Sequence, residues 1–183
     1  GRYGHSMGGQ ITVYTAGSDE RIKADAPSCG GFSYRNGKNI NEELGWGNSE
    51  YLKRVTCPIV FLSPANDFHG RVNFLPTAIS EIKAQDWRIT SAPHHNHNDT
   101  APYAVAAQLW FDQYLKGTFK WPATPRTEVK LKTASGLPMV TVRADQSRPI
   151  QSLKVYYCQH GGIYKNHSSH SHRFWRSSTL RKH

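Results

Sequence analysis

Gly4-His5-Ser6-Met7-Gly8 places a serine one residue from a glycine on either side. In that spacing the serine can stand on a sharp turn between a strand and a helix. Its hydroxyl is then exposed, and the backbone N–H of the next residue, Met7, faces a substrate oxygen. The start of a helix adds positive potential where a negative oxygen would develop. The chemistry is nucleophilic acyl transfer. It requires an imidazole to take the hydroxyl proton and a carboxylate to hold that imidazole. Both types follow later in the chain, in Pro64-Ala65-Asn66-Asp67 and Pro93-His94-His95-Asn96-His97. A five-residue motif recurs by chance, so its weight depends on the elements that would bring these residues together.

Those elements alternate. Met7 to Ala16 fits a short helix packed on a sheet, with Gly17 as a stop. Ile22 to Pro27 reads as a strand running into Gly30-Gly31. Ser33 to Lys53 is a polar excursion of loops and short helices, and it contains Trp46. Val55 to Ser63 is an apolar run of the kind found in a buried parallel strand. A helix over about 75–85, a strand over Trp87 to Ala92 and a helix from Ala101 to Lys116 follow. The last has Pro102 in its first turn and Gly117 as its cap. This order predicts an α/β fold around a parallel sheet. Parallel strands end at one edge, so Ser6, Asp67 and His97 converge there. Asp67 would orient His97, and His97 would deprotonate Ser6.

GHSMGG, CPIVFLSPANDFHGRV and APHHNHND, the last before a helix ending FDQYLKG, resemble the C-terminal half of secreted-type α/β hydrolases. Similar families are the acetyl xylan esterases, the dienelactone hydrolases and the catalytic domain of prolyl-oligopeptidase-like enzymes. The resemblance spans about Gly1 to Gly117. It implies a serine hydrolase with Ser6 as nucleophile, Asp67 as acid, His97 as base and Met7 as oxyanion donor. It implies no metal and no organic cofactor, and it favours a small-molecule or carbohydrate ester as substrate; a peptidase of the prolyl-oligopeptidase-like type and a non-catalytic remnant of the fold are the alternatives. It also suggests a secreted or periplasmic setting. In those families the acid loop commonly carries a glycine three residues before the aspartate; here Pro64 stands there. Such enzymes have further strands ahead of the serine, so the chain is expected to be a fragment, with weak autonomous stability and at most trace activity. The strands supplying the second oxyanion donor would lie upstream.

Each assignment has a competitor. Ser6 could simply cap a helix. Asp67 could be a turn residue, with Asp25 or Asp99 as the acid. His94 or His95 could replace His97. His94, His95, His97 and Asp99 together have metal-ligand chemistry, but they crowd one loop rather than converging from a frame. His69 could line the pocket or be exposed, and Trp46 could face substrate or staple the excursion down.

The 183 residues divide into the α/β part (1–120), a partial β-rich segment (121–158) and a His-, Ser- and Arg-rich tail (159–183) expected to be weakly ordered. In the middle segment, alternation over Thr127 to Lys132, Met139 to Arg143 and Leu153 to Tyr157 suggests strands of a small sandwich or extension. Net charge is +10, and from Gln159 onward there are five Lys and Arg residues and no acid. That tail has no aromatic-interleaved basic patch, so nucleic-acid binding is not indicated. His167, His170 and His172 could bind metal adventitiously, and a solvated tail explains them as well. No apolar run is long enough to span a membrane. Cys29, Cys57 and Cys158 lack the number and spacing of a disulfide framework or zinc knuckle. Oligomeric state is not legible.

Overall fold

The computed structural model describes residues 1–32, 47–158 and 173–180. Trp46, most of the polar excursion and His167 to His172 lie outside the described residues.

Four short parallel strands form the central sheet in the order β1-β2-β3-β4. They are β1 (Arg2–His5), β2 (Asp25–Ser28), β3 (Ile59–Leu62) and β4 (Trp87–Thr90). The register runs Arg2 to Asp25, Asp25 to Ile59 and Ile59 to Trp87, so the strands start and finish together. Consecutive residues of β3 serve opposite faces. Ile59 and Phe61 pack with Val13, Phe32, Leu52 and Val55, beneath helices α1 (Met7–Ser18) and α2 (Asn48–Leu52). Val60 and Leu62 pack with Tyr103, Ala106 and Trp110 of α4 (Ala101–Phe111) on the other side. A strand covered on both faces has no polar side, which is why this run reads as continuously apolar. Helix α3 (Leu75–Glu81), preceded by a 3₁₀ turn over Val72–Phe74, joins the first layer. The predicted α/β architecture is therefore present.

The boundaries differ in instructive ways. Gly17 does not stop α1, which continues to Ser18. A Cβ on Gly17 would lie 2.5 Å from the Tyr51 carbonyl oxygen, so this glycine permits close packing against α2. Strand β2 is confined to Asp25–Ser28, leaving Ile22 to Ala24 as an approach loop. The final helix changes to a π turn over Asp112–Lys116 before Gly117 closes it at φ 67°. Among the described residues no helix is long and apolar enough to cross a membrane.

Beyond Pro125, β5 (Arg126–Lys130) pairs antiparallel with β6 (Met139–Arg143). Strand β7 (Lys154–Tyr157) pairs antiparallel with β8 (Arg176–Thr179). These are two separate ribbons and not a sandwich among the described residues. Val129, Leu131 and Leu137 are exposed there. Strand β8 falls inside the tail expected to be weakly ordered. Its residues, Arg-Ser-Ser-Thr, carry no alternation to announce a strand.

Candidate active site

The nucleophile candidate sits where β1 turns into α1. Ser6 has φ 59° and ψ −119°, the left-handed side of backbone space that a non-glycine residue rarely occupies. Its N–H donates to the Ser28 carbonyl at 2.9 Å, and its own carbonyl accepts from Gln10 N–H at 3.2 Å. The turn is therefore held from both sides. Its tightness explains Gly4, where a Cβ would lie 2.4 Å from the Gly8 carbonyl oxygen. Gly8, by contrast, has open space around a built Cβ. The second close-packed position is Gly9, where a Cβ would come 2.6 Å from the Ser28 carbonyl oxygen. Ser6 makes no side-chain cap on α1. Met7 is the first helical residue, and amides of a first turn have no acceptor within the helix.

The structure brings Ser6, His97 and Asp67 into one hydrogen-bonded chain. His97 Nε2 lies 2.7 Å from Ser6 Oγ, and His97 Nδ1 lies 3.0 Å from Asp67 Oδ1. A carboxylate accepts only, so Nδ1 carries the ring proton and Nε2 is left to accept from the serine hydroxyl. The Asp67 side chain is fully buried and that of His97 is 19% exposed. Asp67 Oδ1 also accepts from the His69 N–H at 2.7 Å, whereas buried Oδ2 has no hydrogen-bond partner among the described residues. The His97 ring is walled by Phe68, His69 and His5, with ring centroids 4.7, 5.5 and 4.9 Å away.

The competing assignments separate by position. Asp25 is at the start of β2, the opposite end of the sheet from Ser28, and is wholly buried. Neither of its carboxylate oxygens has a hydrogen-bond partner among the described residues, and burial raises its pKa well above the usual carboxylate range. Asp99 is close to the site but does not bond His97. It accepts from Tyr3 Oη at 2.6 Å and from Ser28 Oγ, and it pairs with His5 Nδ1 at 3.2 Å. Burial and then the Asp99 bond raise the Tyr3 phenol, which keeps it a proton donor. His94 turns to Phe174, with ring centroids 5.6 Å apart, and has φ 64°. His69 is not free at the surface: its Nδ1 donates to the Cys29 carbonyl at 2.9 Å.

The ligand-type residues of the His94–Asp99 loop do not gather. Among the described residues the one group with metal-ligand chemistry is His5, Cys29 and His97, whose ligand atoms lie within 4.8 Å of one another. Burial pushes the Cys29 thiol up to about 12, so it is protonated at neutral pH.

Several positioning contacts carry no sequence signal of their own. Asn96 Oδ1 accepts from the N–H groups of Phe68 (3.3 Å) and His97 (2.9 Å), tying the Asp67 loop to the His97 loop. Two backbone bonds, Ala65 N–H to Ala92 O and Asn66 N–H to His95 O, both 3.0 Å, do the same. Beside Asp67, the Asn66 side chain donates to the Arg173 carbonyl at 2.8 Å and accepts from the Trp175 indole at 2.9 Å, so residues leading into β8 abut the Asp67 loop. A cavity of about 560 Å3 opens beside His97, lined in part by His5, Asp99 and Thr100.

No family model matches the chain, and the curated proteins give no significant match. Solved structures do match. An acetyl xylan esterase from Paenibacillus sp. R4 aligns over 62% of this chain and 44% of its own, at 15% identity and a TM-score of 0.53. A 2,6-dihydroxy-pseudo-oxynicotine hydrolase aligns over 67% and 42%, at 18% identity and a TM-score of 0.51. A Pyrococcus horikoshii acylaminoacyl peptidase aligns over 63% and 24%, at 15% identity and a TM-score of 0.51. The chain thus spans less than half the length of each of these three structures. At this identity the likeness speaks to fold, and the fold of the parallel sheet and its helices is that of the α/β hydrolases.

Proposed function

We propose that this chain carries the catalytic triad of a serine acyl hydrolase, with Ser6 as nucleophile, His97 as general base and acid, and Asp67 as the orienting carboxylate. The observation that carries this reading is the continuous chain Ser6 Oγ–His97 Nε2 and His97 Nδ1–Asp67 Oδ1, at 2.7 and 3.0 Å. Ser6 Oγ attacks the substrate carbonyl carbon while His97 Nε2 takes its proton. The oxygen that gains charge faces the Met7 N–H and the positive end of α1. As the tetrahedral intermediate collapses, the His97 imidazolium gives its proton to the leaving group, and an acyl-Ser6 ester remains. Water activated by His97 then releases the acid and regenerates Ser6. The sequence of steps runs without a metal or an organic cofactor.

The substrate proposed is a small-molecule or carbohydrate ester. An esterase stands among the structural neighbours, and the sequence motifs are similar to those of acetyl xylan esterases. The test is labelling by a fluorophosphonate, which bonds covalently to an activated serine and needs no turnover. Labelling of the chain that disappears in Ser6→Ala is the expected outcome. Equal labelling of Ser6→Ala removes the assignment.

A further inference from the structure

The base reaches its nucleophile from a distance. Strands β1 and β4 are the outermost of the four, so at about 4.8 Å per strand their tips stand roughly 14 Å apart. No histidine side chain spans that gap. The loop from Ser91 to Thr100 must therefore fold back across the sheet edge to set His97 Nε2 at 2.7 Å from Ser6 Oγ. Something on the nucleophile side must hold it there, because the Asp67 and Asn96 contacts tie this loop only to the β3 tip.

We infer that Asp99 is a positioning residue: its carboxylate straps the His97 loop to the strand that bears the nucleophile. The assignment rests on the triad proposed above. Asp99 follows His97 by two residues, and its three partners come from the other side of the site. Tyr3 donates from β1 at 2.6 Å, and His5, the residue immediately before Ser6, pairs at 3.2 Å. Ser28 donates from the end of β2. Ser28 is the hub, since its carbonyl accepts the Ser6 N–H at 2.9 Å while its hydroxyl bonds Asp99. One residue therefore fixes the nucleophile's backbone and the base's loop together. A second anchor lies alongside, where Cys29 Sγ is 3.7 Å from the Asn98 carbonyl. Hydrogen bonds to an ionised carboxylate are stronger and more directional than neutral ones, as a strap requires. The Asp99 side chain is 38% exposed, so the carboxylate is held by these bonds and not by burial.

Three variants test the strap: Asp99→Ala, Asp99→Asn and Tyr3→Phe. The first removes both hydrogen bonds and the His5 pairing, the second leaves one acceptor oxygen, and the third deletes a single donor at the far end. Two readouts are taken, the rate of fluorophosphonate labelling of Ser6 and the ¹H and ¹³C NMR signals of the His97 ring, including its Nδ1 proton. Misplacing a reacting group by about 1 Å costs on the order of 100-fold. Labelling is therefore expected to slow about 100-fold in Asp99→Ala and less in Asp99→Asn and Tyr3→Phe. Hydrolysis of p-nitrophenyl acetate should lose kcat and leave KM within about twofold. The His97 Nδ1 proton should broaden or vanish in Asp99→Ala even though Asp67 is intact. A sharp, unshifted Nδ1 proton overturns the strap whatever the rates do. If the unmodified chain takes no label, the hydrolase proposal fails and the His97 spectra alone decide the strap. If Asp99→Ala does not fold, Tyr3→Phe decides it, and unchanged His97 signals there count against it.

Discussion

Asp67→Asn is the most discriminating single change, because the structure dictates which way the new amide must face. Asp67 Oδ1 accepts from two donors, His97 Nδ1–H and the His69 N–H. In the variant the amide oxygen must keep that position, since the amide nitrogen would otherwise point a donor at the His69 N–H. The His97 tautomer is thereby preserved, and the loss is the negative charge alone. Two unit charges about 4 Å apart interact by about 4 kcal/mol at an effective dielectric constant of about 20. In the proposed mechanism that charge acts when His97 becomes imidazolium in the transition state, so kcat/KM should fall about 1000-fold. Reversal of the tautomer would cost more, about 10,000-fold. The assay is second-order fluorophosphonate labelling, with the His97 Nδ1 proton followed by NMR to verify the tautomer. A loss below tenfold with that proton retained would show that the Asp67 charge is not coupled to the base, and the triad would have to be redrawn. A loss of 10,000-fold with the proton gone would refute the amide orientation argued from His69.

Two further predictions concern stability. Gly9→Ala should lower Tm by about 4–8 °C, because its Cβ meets the Ser28 backbone at 2.6 Å, an overpacking worth about 2 kcal/mol after the better helix propensity of alanine. Gly8→Ala, with open space at the same helix start, should leave Tm level or raise it, as calorimetry of the pair will show. Asp25→Asn should raise Tm at pH 7. Burial raises the Asp25 pKa in the folded chain, so the folded state holds a proton that the unfolded chain releases above about pH 4. Native protein then binds more protons than unfolded protein, and its stability falls as pH rises through that range. The advantage of Asp25→Asn should close by pH 3, and an equal gain at pH 3 and pH 7 would contradict the burial argument.

The sequence made legible those features that depend on short-range pattern. Ile59 to Leu62 is apolar at every position because both faces of β3 are covered, and that pattern is visible without coordinates. The order serine, acid, histidine at strand tips is likewise a matter of spacing, and it places Ser6, Asp67 and His97 at one edge. Gly17 misleads because a glycine that stops a helix and one that lets a neighbour's backbone approach look alike. Gly8 and Gly9 present the same difficulty, since only the packing distinguishes them. The Asp99 contacts are harder still. Tyr3 and Ser28 stand 96 and 71 residues from it in sequence, and nothing local in any of the three indicates a partner. Strand β8 escapes notice because a polar strand in a two-stranded ribbon has no buried face to impose alternation.

Environment separates the roles proposed for the two carboxylates near His97. Asp67 is shut off from solvent and bonds the imidazole directly, so in the proposed mechanism its charge acts through low-dielectric surroundings on the proton His97 would carry. Asp99 is partly exposed, and its charge is shared among Tyr3, Ser28 and His5. Screening by water weakens its field at His97, while its hydrogen bonds keep their geometry. Neutralising Asp67 should therefore slow the chemistry with the ring still in place, whereas removing Asp99 should let the ring wander with its tautomer partner intact. The two losses have different signatures in the same spectrum, a retained Nδ1 proton against a broadened one. The proposed triad and strap have Asp67 and Asp99 act through the same His97, so their combined loss should be smaller than the product of the separate ones. Fully multiplicative losses in Asp67→Asn combined with Asp99→Ala would mean that Asp99 acts on something other than the base.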